Sequence, residues 1–102
     1  MSIIQFLEAR IAEDEAQARY VHEYGSSAPS ALFAPARVLV ECAAKRAILE
    51  MHTTYAKAVH ESVGIAWVGA RCGREVAADA LKALASVYKD HPDYQQEWAN
   101  DM

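Results

Sequence analysis

The 102-residue chain lacks most of the signatures that announce a chemistry. Its two cysteines, Cys42 and Cys72, stand in no CxxC or other metal-ligand spacing, which excludes a disulfide framework and a cysteine-rich zinc site. No apolar run approaches the ~20 residues that a membrane span needs. Met1 to Leu7 is too short for a secretory signal and is followed at once by acids, so none is expected. Neither GxSxG nor HExxH occurs. Gly64, Gly69 and Gly73 have neither the spacing nor the Lys-Ser/Thr ending of a phosphate loop. A basic excess is also missing. The formal net charge of −4 argues against nucleic acid as a partner, because phosphate binding needs a basic face. The expectation is a cytoplasmic protein with free thiols, no cofactor, no bound metal and no membrane segment.

What is present is apolar and rich in alanine. Apolar residues make up 53% of the chain, too many for intrinsic disorder over most of its length. The length suits one domain, taken here as residues 1–102. Alanine favours helix but buries little area, so helices must pack closely. The first helix is expected over about 2–24. Ser2 and Gln5 form a capping box, and Ile4, Leu7, Ile11, Ala18 and Val21 follow a three-four spacing. Gly25 is placed to end this helix in a left-handed turn, and Leu32 and Phe33, in the connector, are expected to pack back on it. The second helix is expected over about 35–60, with Pro35 in its first turn. Val38, Cys42, Leu49, Ala56 and Val59 line one face, while Leu39, Val40, Ala43, Ala47, Ile48 and Met51 spread over the others. Such a helix is central, covered on both sides or by a second subunit. Residues 62–73, punctuated by glycine, read as an irregular or helical connector. A third helix over about 74–89 carries Ala77, Leu81, Leu84 and Tyr88, and Pro92 opens a terminal turn over 92–98. The fold class is all-α: a small helical bundle with a long antiparallel helical hairpin of two long helices, a third helix packed across them, and a C-terminal aromatic segment.

Few residues stand out chemically. Asp14 falls on the apolar stripe of the first helix, and a buried carboxylate there needs a partner such as Lys45 or Arg46. Glu13 and Glu15 point about 100° away from Asp14 to either side, so the acidic run reads as a solvated helix face rather than a site. His52 and His60 are roughly two turns apart, too far for one ion, and with Cys72 and His91 they give no metal spacing. Cys72 lies beside Arg71 and Arg74, but nothing local supplies the base that a nucleophile needs. Tyr88, His91, Tyr94 and Trp98 crowd the C-terminus. They read first as a clasp over the helical core and second as an interaction surface.

Three blocks resemble DUF6221, a family of uncharacterised small proteins from actinobacteria and their phages. They are Phe6-Leu7-Glu8-Ala9-Arg10-Ile11-Ala12-Glu13-Asp14-Glu15, the run from Pro35 to Leu39 continued by Ala44 to His52, and the run from Leu84 to Trp98. The resemblance covers half to two-thirds of the chain. Two departures stand against it: a short loop replaces a longer Trp-containing stretch between the first two blocks, and Cys72 is the lone cysteine of a segment that often carries Cys and His. A metal site in longer relatives would be incomplete here. The resemblance implies an actinobacterial or phage origin, hence a host cytoplasm, and no activity.

The reading that follows is a non-catalytic protein-interaction module, in its most specific form a phage-encoded modulator of a host protein, with a protein partner and a homo-oligomer through the second helix. Two alternatives rank below it. One is a nucleic-acid-associated regulator using Arg37, Lys45, Arg46 and Lys57. The other is a metal-dependent enzyme using Asp14, His52 and His91.

Overall fold

A computed structural model describes residues 1–24 and 34–99. Gly25, Leu32 and Phe33, and the roles expected of them, lie outside the described residues. The described residues form three helices: α1 (Ile3–Tyr24), α2 (Pro35–Glu61) and α3 (Gly64–Ala85). Short 3₁₀ turns follow at Ser86–Tyr88 and Gln96–Trp98, and no strand occurs among the described residues. The molecule is an all-α helical bundle. Among the described residues no helix is long and apolar enough to cross a membrane.

Local chemistry sets the helix ends. The Ser2 N–H donates to Gln5 Oε1 at 3.0 Å, and the Gln5 N–H donates to Ser2 Oγ at 3.1 Å. This reciprocal pair satisfies donors at the start of α1 that have no intrahelical partner. Pro35 occupies the first turn of α2, where a missing N–H costs nothing. The chain reverses after α2 through Ser62 and Val63 alone. Gly64 sits there at φ +64°, a conformation that a side chain disfavours.

The stretch 62–73 is therefore mostly helix, and α3 begins at Gly64 instead of near residue 74. Gly69 and Gly73 do not break it. The neighbouring alanines and the packing along α2 outweigh the roughly 1 kcal/mol that each interior glycine costs. Gly73 has a positive role as well: a methyl group there would run into the Tyr55 ring. With α3 so extended, the long antiparallel hairpin is made by α2 and α3, not by the first two helices as the sequence suggested, and α1 is the helix packed on it.

Helix α1 covers one face of that hairpin. Phe6, Leu7 and Ile11 meet Cys42 and Leu49 of α2 and Leu81 and Ala85 of α3 in one buried cluster, closed by Trp98. The covered region ends near Leu49. From Glu50 to Val76 the only buried residue is Ala70. The far half of the hairpin is thus an arm, and the molecule measures 57 × 25 × 23 Å.

Candidate interaction surface

The aromatic terminus folds back on α1. Trp98 is 7% exposed, its ring centroid 5.0 Å from that of Phe6 and 5.7 Å from that of Tyr94. Phe6 also meets Tyr88, Tyr94 and His91 edge-on, with centroids 5.7–6.2 Å apart. Aromatic pairs favour this edge-to-face arrangement. Gln95 Nε2 donates to the Met1 carbonyl at 3.1 Å, tying the two termini together.

Polar contacts run beneath the rings. Arg10 is 8% exposed and lies against the His91 imidazole, with Nη1 2.9 Å from Nδ1 and in contact with Nε2. The same Nδ1 accepts the Asp93 N–H at 3.0 Å. Glu13 pairs with Arg10 at 2.9 Å and Asp93 stands at 4.0 Å, so the buried cation has acidic company. Tyr88 joins three elements. Its hydroxyl donates to Asp14 Oδ2 at 2.7 Å and accepts from Lys45 Nζ at 3.0 Å. Burial first, then the hydrogen bond and negative charge of Asp14, push the Tyr88 phenol well above its usual range.

The carboxylate on the stripe of α1 thus has a tyrosine as its direct partner, with Lys45 one bond further on. Arg46 instead pairs with Glu15 in a two-bond fork at 2.5 and 3.0 Å. The hydrogen bond to Arg46 holds the Glu15 carboxyl below the usual range. Sequence reasoning missed Phe6 and Arg10, which the tail buries. Their i, i+4 spacing was the available signal, but it lies beside the main stripe of α1 and has meaning only once the tail folds back. The four aromatic residues are brought together, and what they present is largely turned inward.

Lys45 and Arg46 of α2 hold partners on other elements, while Arg37 and Lys57 make only exposed contacts one turn along their own helix. Arg37 pairs with Glu41 at 3.0 Å, Arg46 with Glu15, Lys57 approaches Glu61 at 4.0 Å, and Lys45 holds Tyr88. Among the described residues no group of three or more His, Cys, Asp or Glu side chains is placed to hold a metal. Cys42 is buried beneath α1, and burial pushes its thiol up, which leaves it inert.

The open surface is the other face of the hairpin. Met51 lies about 200° around α2 from the buried Leu49, hence opposite α1. It is 56% exposed, Tyr55 is 41% and Val76 is 70% exposed. These residues, with Ile48, Cys72, Gly73, Ala77 and Ala80, line a groove of about 430 Å³. Val40 on α2 and Ile65 on α3 are exposed as well, as is Val87 in the 3₁₀ turn beyond α3. Scattered exposed apolar residues are ordinary, but a continuous apolar face marks a contact site.

The model of one family, described as a family of unknown function (DUF6221), matches residues 1–100, and the chain belongs to that family. No curated protein and no solved structure matches it.

Proposed function

We propose that the chain is a non-catalytic protein-interaction module and that its contact surface is the open face of the α2–α3 hairpin. The observation that carries this reading is the apolar groove of Ile48, Met51, Tyr55 and Val76, on the side of the hairpin that α1 leaves bare. A groove of this size flanked by Met and Tyr resembles the centre of a protein contact more than a reaction site, because no nucleophile–base pair lies in it. The aromatic terminus serves the fold: Trp98 and Phe6 close the core, so the tail keeps α1 on the hairpin.

Capture by tagged protein from an actinobacterial lysate, the source that the family resemblance implies, tests this. Wild type is expected to retain protein, either a lysate protein or added untagged chain, that a Met51→Glu, Val76→Glu double variant releases, with the helical circular dichroism of both unchanged. Capture indifferent to the double variant contradicts the assignment of the surface.

A further inference from the structure

We infer that the open face of the hairpin is the interface to a second copy of this chain, with the two α2 helices antiparallel across a dyad near His52 and Thr53. The inference rests on the interaction reading and names the occupant.

The pattern on α2 is self-complementary. Val40, Ala44, Ala47, Met51, Thr54 and Ala58 recur at alternating steps of four and three, the spacing of a coiled-coil seam. All but Ala58 are exposed, and Ala58 is half-buried. Glu50 and Lys57 flank the seam on its outer side, while Ile48 and Tyr55 flank it on the side of α3. In an antiparallel pair with Met51 opposite the partner's Thr54, Glu50 meets the partner's Lys57, and the dyad repeats the ion pair. Ile48 then meets the partner's Tyr55, also twice. Glu50 makes no ion pair among the described residues, and Lys57 reaches only Glu61 at 4.0 Å, so both are free to pair across the dyad. A parallel pair sets Glu50 against Tyr55 and gives no such match. The same dyad lays α3 on its equivalent, with Cys72 near the partner's Val76.

Size agrees. In this register α2 overlaps its equivalent over residues 44–61, about 27 Å, and two helices side by side are about 20 Å wide. The face therefore offers about 540 Å² per copy, just above the roughly 1,000 Å² in total that a specific interface needs.

Sedimentation equilibrium on the full chain tests the assignment. Wild type is expected at twice the chain mass. Met51→Glu, a side chain already exposed in one copy, is expected at the single-chain mass with an unchanged helical spectrum. Glu50→Lys and Lys57→Glu each raise the dimer dissociation constant about tenfold, and the double charge swap restores it. A wild-type monomer at millimolar concentration, or a dimer indifferent to Met51→Glu, overturns the inference. A double swap no tighter than the singles overturns the antiparallel register. A wild-type monomer that still captures lysate protein through Met51 and Val76 overturns the second copy alone and leaves the module reading standing.

Discussion

At the scale of single residues, two contacts make stability depend on pH, with opposite signs. The Tyr88 phenol is shifted upward in the folded chain. Its contribution is complete below the ordinary tyrosine value of about 10 and is lost as pH rises beyond it. Tyr88→Phe removes the link between Asp14 and Lys45 and should cost about 1 kcal/mol at neutral pH. The gap to wild type should close in strongly alkaline solution, as denaturant titrations at neutral and high pH would show. Glu15 is shifted downward by Arg46. Its contribution is present above the ordinary glutamate value of about 4.3 and is lost as pH falls through the folded one. The pair is half open to water on the Arg46 side, so Glu15→Gln should cost roughly 0.2–1 kcal/mol at pH 7. That difference should vanish in acid, which the same titrations at low pH would check.

At the scale of elements, the C-terminal segment is a strut of the core. Trp98→Ala should cost about 3–5 kcal/mol, because the cavity it leaves is walled by Phe6 and Tyr94 and cannot close. Thermal unfolding by circular dichroism checks this, and a change within error would mean that the tail merely rests on α1. Gly64→Ala should cost about 1–2 kcal/mol, since the reversal between α2 and α3 needs the left-handed conformation. The helices themselves were legible in the sequence: the box of Ser2 and Gln5, Pro35, and the stripe of Ala77 and Leu81 all mark what the structure builds. Gly69 and Gly73 were misleading, because glycine counts as a breaker locally and as a close-approach residue only when Tyr55 is known to lie over it. Phe6 and Arg10 were not legible for a related reason. Their burial depends on a segment more than eighty residues away, and periodicity within one helix reports only the face that its near neighbours cover.

At the scale of the whole molecule, α2 is apolar on more than one side: α1 and α3 each cover part of it, and the face of Ala47 and Met51 stays open. The sequence showed that excess but not which side stays open. That depends on where α1 docks, and Cys42 and Leu49 become distinguishable from Ala47 and Met51 only in three dimensions. An arm with a single buried alanine between Glu50 and Val76 has little core of its own. In the proposed pair it gains one from a second arm, since four packed helices bury what two leave wet. Cys72 provides a direct probe, being exposed in the single chain and beside the dyad of the proposed pair. The decisive measurement is the rate at which a bulky maleimide labels Cys72 under reducing conditions, followed across protein concentration while buried Cys42 stays silent. The account predicts that labelling slows as concentration rises, and that Met51→Glu labels quickly throughout. Labelling of wild type at one rate, whatever the concentration, would contradict it.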